Sequence, residues 1–254
     1  EYQQQTVNYA SKFKSHAIFD EPRLGKTPTM LSILKNMNLQ NELIYIFSPS
    51  AIIGNWIKLA REWLGIEAQN WDGKKKIKSN VLVMTYERAK FSYEELRDMK
   101  PTVVILDEAH VLRNSRGANQ RPTYSPKQKE LKDRYDGLKA LRGRGIEITE
   151  EDKQFLKDYE PPMNRNKALL KLSQIATYRY PLTGTPNVNK PEEIFAILQF
   201  LFPKYFSSYW NFIYYYFDVN NSNWGGMEID GFKNKERELE LQELLDYIST
   251  RNTQ

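Results

Sequence analysis

The sequence predicts an α/β fold, in which a mostly parallel β-sheet carries helices on both faces. Short apolar segments recur along the chain, and between them lie segments whose apolar residues repeat with the period of a helix. The short segments are apolar at successive positions, which is typical of strands buried on both sides of a sheet. Right-handed β–α–β crossovers connect the strands of such a fold.

The N-terminal part alternates helices with strands. Residues 2–13 are predicted to form a helix, and HAIF, 16–19, a short apolar strand. Residues 27–37 follow as a helix, because their apolar side chains cover one broad face. LIYIF, 43–47, is predicted to be a buried strand, and IIGNWIKLAREWL, 52–64, an amphipathic helix.

The middle of the chain continues this alternation. VLVMTY, 81–86, is predicted to be a strand, and a helix follows near 92–99. TVVILDEAH, 102–110, is an apolar strand that ends in acidic residues, and ATYRYPLTGTP, 176–186, is a strand that ends in a glycine turn. Ligands bind at the carboxyl ends of strands in parallel sheets, so these polar ends predict a site there.

Two regions depart from the alternation. Residues 115–165 hold many charges, basic ones first and acidic ones later, and predict an insertion of one or two surface helices. This insertion is either a solvated excursion or a basic arm that touches nucleic acid. Residues 191–254 are predicted to be a C-terminal helical appendage, with two short helices within 197–217 that Pro203 separates and a charged helix over 231–248.

Composition limits the classes of protein. The chain has 254 residues, 40% of them hydrophobic, which is enough for one large domain with an insertion. It has no cysteine and two histidines, which excludes disulfides and cysteine sites and argues against a histidine-rich metal centre. No apolar run approaches the roughly 18 residues that span a bilayer, so we expect no membrane partner. The lack of cysteine leads us to expect an intracellular location. The net charge of +5 slightly favours a nucleic-acid partner over a merely soluble surface.

DEPRLGKTPTML, 20–31, lies between a predicted strand and a predicted helix. It contains Gly25, Lys26 and Thr27 in the order that a phosphate-binding loop requires. Backbone N–H groups at a helix N-terminus bind anions, the lysine reaches the β- and γ-phosphates, and the hydroxyl ligates Mg²⁺. The segment therefore predicts a nucleotide site.

LDEAH, 106–110, follows an apolar strand and supplies two carboxylates. Asp107 is suited to hold Mg²⁺ through its water shell, and Glu108 to orient and deprotonate an attacking water. Charges at such a position cost free energy unless a metal or hydrogen bonds offset their desolvation. We therefore interpret this pair as the metal-side and water-side carboxylates of phosphoryl transfer.

LTGTP, 182–186, places Thr183 and Thr185 on either side of Gly184 at a strand end. Their hydroxyls are suited to bond His110 or Glu108 and so to report the state of the γ-phosphate. In isolation this segment would indicate only a turn.

These motifs carry a family resemblance. DEPRLGKT, LDEAH and LTGTP in this order, with SP at 48–49 and MTY at 84–86 between them, resemble the first RecA-like lobe of superfamily-two helicases and translocases. Other segments resemble the Swi/Snf-type branch of double-stranded-DNA translocases, which includes bacterial and phage members. These are YQQQTVNYA, NWIKLAREW, LDEAHVLRN, KALLKLS, NKPEEIFAILQFLFPKYF and GFKNKERELELQELL. The resemblance covers the chain except for about 117–163.

The resemblance implies roles for the matching residues, with ATP and Mg²⁺ as cofactors and double-stranded DNA as partner. The residues implied to bind ATP are Gln3, which would read the adenine, and Leu24, Gly25, Lys26 and Thr27. Those implied to act in catalysis are Lys26, Asp107 and Glu108, with Thr27 and Asp107 on the metal. Those implied to couple the state of ATP to movement are His110, Thr183, Gly184 and Thr185. Those implied to contact the backbone of one DNA strand are Ser48, Pro49, Thr85 and Tyr86. Trp56 is expected to pack in the core.

The phosphate loop departs from the family at two positions. The family usually has glycine where Arg23 stands and methionine or a similar residue at Pro22. Proline stiffens the loop and removes one backbone donor. Arg23 either adds positive charge near the phosphates or points to solvent.

A motor of this family needs two RecA-like lobes, and the resemblance accounts for one. We expect residues 1–254 to be a single N-terminal lobe that lacks its second lobe. Such a lobe is expected to bind ATP weakly and hydrolyse it slowly, because the second lobe brings an arginine finger worth roughly 10³–10⁵ in rate.

Two alternative functions stay open. One is a lobe of a strand-separating helicase or of a restriction-type motor of the same superfamily. The other is a nucleotide-dependent DNA-binding module that has lost hydrolysis, although Glu108 argues against that reading.

Overall fold

The computed structural model describes residues 1–112, 126–159, 164–184, 191–221 and 227–253. The strands are β1 (Ala17–Ile18), β2 (Ile44–Phe47), β3 (Gln69–Asn70), β4 (Val81–Met84), β5 (Val103–Asp107), β6 (Tyr178–Leu182), β7 (Phe217–Asn221), β8 (Met227–Phe232) and β9 (Ser249–Thr250). The helices are α1 (Tyr2–Ala10), α2 (Lys26–Asn36), α3 (Ile53–Leu64), α4 (Tyr86–Phe91), α5 (Tyr93–Asp98), α6 (Pro126–Gly143), α7 (Glu150–Asp158), α8 (Arg165–Ile175), α9 (Phe195–Leu201), α10 (Tyr209–Tyr216) and α11 (Lys235–Ile248). None of these helices is both long and apolar enough to cross a membrane.

The central sheet has seven strands in the order β3-β4-β2-β5-β6-β1-β9, and every neighbouring pair is parallel. All its strands therefore point their carboxyl ends toward one edge. This confirms the predicted α/β class with a mostly parallel sheet. The helix α4 and the short strand β3 were not predicted from the sequence.

Each central strand buries both of its faces. In β2, Ile44 and Ile46 belong to one apolar cluster, whereas Tyr45 and Phe47 belong to a second. Helices α1, α2 and α3 cover the first cluster, and α4, α5, α8 and α9 cover the second. The continuous apolar runs in the sequence thus reflect a strand whose successive side chains enter two different cores.

The C-terminal part is more than the predicted helical appendage. The predicted helices are present, with α9 and α10 on either side of Pro203 and α11 close to the chain's end. However, β7 and β8 form an antiparallel hairpin, and β9 joins the central sheet beside β1. Apolar residues of this part share a third cluster with Ala17 and Phe19, so the C-terminal part packs as an extension of the sheet's edge. A two-residue polar strand has no periodic signal, which is why its sequence did not predict it.

The described part of the charged insertion forms two helices, α6 and α7, that pack on each other. Arg134 of α6 donates to Asp152 of α7 at 2.9 Å and lies over the ring of Phe155 at 4.4 Å. Most side chains of both helices are exposed. Surface helices agree with the prediction, while contact with nucleic acid stays a prediction.

Candidate nucleotide site

The three predicted motifs meet at the carboxyl edge of the central sheet. The phosphate loop follows β1, Asp107 ends β5, and Thr183 follows β6. Strands β5, β6 and β1 are neighbours in that order, so the topology places the motifs side by side. Residues more than eighty positions apart in sequence are thereby brought to one site.

Gly25 occupies the turn from the loop into α2. Its φ of 78° lies in the left-handed region that favours glycine. A Cβ at this position would also collide with Nε2 of Gln3. The side chain of Gln3 itself donates to the carbonyl of Leu24 at 3.0 Å, and the hydroxyl of Tyr2 donates to the same oxygen at 2.8 Å. The predicted adenine-reading residue therefore lies against the predicted phosphate loop, together with Tyr2, which no sequence motif indicated.

Pro22 and Arg23 are the two loop residues that depart from the usual sequence of such loops. Arg23 has a φ of 70°, in the left-handed region, and its side chain is exposed. This agrees with a position that usually holds glycine, and an arginine there costs about 1–2 kcal/mol of backbone strain. Pro22 packs against Gly184, where an added Cβ would lie 2.8 Å from the proline Cδ. The loop and the glycine turn after β6 therefore fit together only because residue 184 is small.

Lys26 is buried at the start of α2. Its Nζ donates to the backbone carbonyls of Asp20 at 3.0 Å and Glu21 at 3.4 Å. Thr27, the next residue, is half-buried in the first turn of the helix. The ammonium group is thus held over the loop by neutral acceptors, from which a phosphate could attract it.

Asp107 lies in a buried, hydrogen-bonded setting. The indole N–H of Trp56 donates to its Oδ2 at 2.7 Å, and the hydroxyl of Ser48 donates to the same oxygen at 3.2 Å. Burial raises the pKa of the Asp107 carboxyl, the bond from Trp56 lowers it, and the charge of Glu108 raises it. Trp56 is fully buried as predicted, and its hydrogen bond to Asp107, the predicted metal-side carboxylate, has no signal in the sequence.

Two of the predicted DNA contacts, Ser48 and Tyr86, have buried side chains. Ser48 is fully buried and Tyr86 is 5% exposed, and both bond to Asp107, the tyrosine through its hydroxyl to the backbone carbonyl at 2.6 Å. Their side chains therefore pack against Asp107 and are turned away from solvent. Pro49 and Thr85, next to them, are half-exposed and stay candidates for DNA contact. Sequence places all four at strand ends, but only packing decides which way each side chain points.

Glu108 is directed toward His110, one of the residues predicted to couple the state of ATP to movement. Its Oε2 lies 3.1 Å from Nδ1 of His110, and the hydroxyl of Thr183 lies 3.4 Å from the same nitrogen. The Glu108 side chain is one-third exposed, whereas Thr183 is buried. Glu108 also has a φ of 57°, a left-handed conformation that costs roughly 1–3 kcal/mol and often marks functional sites. Thr185, the other predicted coupling residue, lies outside the described residues.

The residues present fit a magnesium nucleotide. Within the described residues, no group of three or more His, Cys, Asp or Glu side chains could hold a metal by itself. Mg²⁺ at nucleotides needs one or two protein ligands, since phosphates and water supply the rest. Both side-chain bonds to Asp107 end on Oδ2, which leaves Oδ1 to face a cation, and the hydroxyl of Thr27 could supply a second ligand.

Trp56→Phe is expected to destabilise the chain by about 2 kcal/mol, since hydrogen bonds to charged groups contribute roughly 1.5–3 kcal/mol. The substitution keeps an aromatic ring in the core but removes the N–H that bonds Asp107. Denaturant unfolding near neutral pH would measure the loss. Trp63→Phe is the matched control, because Trp63 lies on the same helix with 43% of its surface exposed. Equal effects of the two substitutions would contradict this role of Trp56.

Comparison with known proteins adds a family match. The model of the SNF2-related domain matches residues 2–135 and 146–253. The human DNA repair and recombination protein RAD54B is 30% identical over 114 residues, which is 38% of this chain and 12% of that protein. The ATP-dependent helicase fft1 of Schizosaccharomyces pombe is 24% identical over 212 residues, 76% of this chain and 17% of that protein.

Solved structures share the fold. The SWI2/SNF2 ATPase core of Sulfolobus solfataricus in complex with dsDNA aligns over 99% of this chain and 44% of its own, with a TM-score of 0.66 and 17% identity. The same core domain in a second structure gives a TM-score of 0.62 at 18% identity. The chain thus spans less than half the length of these structures, and less than a fifth of the two relatives described above.

Proposed function

Because this chain belongs to the SNF2-related domain family, we propose that it is the ATP-binding and ATP-hydrolysing lobe of a motor that moves along double-stranded DNA. The observation that carries the proposal is that Glu108 and Thr183 both contact Nδ1 of His110. This group stands at the sheet edge where the phosphate loop and Asp107 meet. In this group, a carboxylate that can activate water lies near side chains that can respond to a change in the position of that carboxylate.

Each residue has a distinct task in the proposed hydrolysis. Lys26 leaves the loop carbonyls and bonds the β- and γ-phosphates of ATP. Thr27 and Asp107 would hold Mg²⁺, which when bound would neutralise charge that develops on the phosphate oxygens. Glu108 orients the attacking water and accepts its proton, in the manner of a general base. His110 and Thr183 then respond to the protonation of Glu108.

Double-stranded DNA is the molecule along which we propose that the motor moves. The structural neighbour from Sulfolobus solfataricus was solved with dsDNA, and the human relative is named for DNA repair and recombination. The net charge of +5 agrees with a polyanionic partner. Pro49 and Thr85, half-exposed beside the site, are the proposed contacts to the DNA backbone. Since ATP and DNA are its proposed substrates, we place the protein inside the cell.

The complete motor requires a second lobe in a longer protein. Phosphoryl transfer gains roughly 10³–10⁵ in rate from an arginine finger, which a second lobe would supply. We therefore propose that the 254-residue chain alone binds ATP but turns it over slowly. Brisk, DNA-stimulated ATPase activity of this chain alone would contradict the proposal.

The proposed function is tested by comparing which nucleic acid stimulates the ATPase activity. ATPase activity of the full-length protein should be measured with duplex DNA, single-stranded DNA and RNA. Stimulation mainly by duplex DNA is the expected result. Stimulation mainly by single strands, with strand separation, would favour a helicase, and stimulation mainly by RNA would overturn the proposal. DNA binding without any hydrolysis would favour a nucleotide-dependent binding module.

A further inference from the structure

The C-terminal segment, residues 249–253, runs alongside β1 and the start of the phosphate loop. Strand β9 pairs with β1, and the N–H of Phe19 donates to the carbonyl of Thr250 at 2.8 Å. The pairing continues past the strands, because the N–H of Glu21 donates to the carbonyl of Asn252 at 3.1 Å. The first residues of the phosphate loop thus have the C-terminal segment as their neighbour.

Asn252 joins three parts of the fold through its side chain and backbone. Its Nδ2 donates to Oδ1 of Asp20 at 2.7 Å and to the hydroxyl oxygen of Thr6 at 3.1 Å. Its backbone N–H donates to the same Asp20 oxygen at 2.9 Å. The phosphate loop, helix α1 and the C-terminal segment therefore meet at one amide.

The buried carboxylate of Asp20 is stabilised by hydrogen bonds from Asn252. The residue is fully buried, and its other carboxylate oxygen, Oδ2, has no hydrogen-bond partner in the structure. Burial raises the pKa of the Asp20 carboxyl, while the bonds from Asn252 and the charge of Lys26 lower it. Loss of the Asn252 side-chain amide would remove one of the hydrogen bonds to Oδ1 that offset the desolvation of this carboxyl.

The same short stretch of loop holds the phosphate-binding lysine. The carbonyls of Asp20 and Glu21 accept from Nζ of Lys26, and the N–H of Glu21 and the carboxylate of Asp20 are bonded to Asn252. The position of Lys26 is thus fixed by residues whose own position Asn252 fixes. A displacement of the C-terminal segment would therefore move Asp20 and Glu21 through Asn252, and would move Lys26 with them.

We propose that Asn252 is a positioning residue for the nucleotide site, which sets the place of Lys26 by holding Asp20 and Glu21. The inference rests on the proposed function, because Lys26 matters to it only as a phosphate ligand. Asn252 does not touch the nucleotide itself. It acts through the loop.

Asn252→Asp tests the proposal with almost no change of shape. The new carboxyl faces Asp20, and two such groups cannot both ionise at close range without strong repulsion. Among the described residues, the charge that acts on Asp20 is that of Lys26, while α1 and the C-terminal segment contribute the uncharged Thr6 and Asn252. At low pH the two carboxyls share a proton and the contact is kept, whereas at higher pH both ionise and it opens.

Isothermal calorimetry with MgADP, on the 254-residue chain, gives the readout. Relative to wild type, Asn252→Asp is expected to bind MgADP roughly tenfold more weakly at about pH 8 and nearly equally at about pH 5.5, because only the ionised pair repels. A purely structural role would lower the melting temperature but leave the affinity of the folded chain unchanged. Asn8→Asp is the matched control, since Asn8 lies exposed on α1 and gains the same charge.

Exchanging the side chains at positions 20 and 252 is expected to restore the affinity for MgADP. The double variant Asp20→Asn with Asn252→Asp restores one amide and one carboxylate to the pair. Its affinity for MgADP at about pH 8 is expected to return to within about threefold of wild type, which a double-mutant cycle would report as coupling. Should Asn252→Asp fail to fold at this pH, Thr6→Val removes one acceptor of the same amide and is expected to weaken binding severalfold.

The outcomes separate this inference from the proposed function. Wild-type chain that binds no MgADP would overturn both. Wild-type binding together with an unchanged affinity of folded Asn252→Asp at about pH 8, or of Thr6→Val where that variant is used, would overturn the positioning role alone. A failure of the exchanged pair to recover affinity would also count against it.

Discussion

Glu108→Gln is expected to stop ATP turnover in the full-length protein while ATP stays bound. The glutamine keeps the size of the side chain but cannot accept a proton from water. General-base catalysis contributes roughly 10²–10⁴ in rate, so turnover should fall by at least about a hundredfold. ATP affinity should change little, because Glu108 is placed on the water side of the γ-phosphate and not among the groups that hold it.

The fixed position of the Glu108 side chain allows this substitution to test its role in activating water. Glu108 is held in a left-handed conformation at the end of β5, with Oε2 3.1 Å from His110. Single-turnover hydrolysis and equilibrium binding of MgATP would separate chemistry from affinity. Glu62→Gln on the exposed face of α3 serves as the matched control. Normal hydrolysis by Glu108→Gln would show that another group activates the water.

Lys26→Ala is expected to abolish detectable binding of MgATP. Hydrogen bonds from charged groups contribute roughly 1.5–3 kcal/mol each, and the lysine is placed to reach two phosphates, so affinity should fall at least about a hundredfold. The fold should survive, because the bonds that Lys26 makes in the structure are to two backbone carbonyls of its own loop.

Calorimetry with MgATP would measure the loss, and circular dichroism would check the fold. Lys35→Ala provides the control, since Lys35 is exposed in the last turn of the same helix. Together the two substitutions distinguish the roles of the loop and of the carboxylate, because one removes binding and the other removes only chemistry. Equal affinity of Lys26→Ala and wild type would overturn the assignment of the phosphate loop.

The sequence predicted much of the fold from local patterns. Apolar runs such as 43–47 and 102–106 predicted strands buried on two faces, and β2 and β5 are buried on both. The polar motifs after these strands predicted a site at the carboxyl edge, since parallel strands end together. The contact of Glu108, His110 and Thr183 agrees with that prediction.

Contacts between distant segments were not predictable in this way. Trp56 and Asp107 are 51 positions apart, and nothing in the local pattern of α3 indicates that its buried indole donates to a carboxylate. Ser48 and Tyr86 lie next to the half-exposed Pro49 and Thr85, yet their side chains turn inward to Asp107. One step along the chain reverses the direction of a side chain near a strand end, so small differences in backbone decide exposure.

Local sequence patterns were enough to predict the fold class and to propose the motifs of the candidate site, because periodicity and short motifs are local properties of the chain. The tertiary structure alone decided what surrounds those motifs. The pairing of β9 with β1 and the bond from Asn252 to Asp20 join positions 232 apart. Such contacts depend on which strand lies at the edge of the finished sheet, and an edge exists only after the other strands have paired.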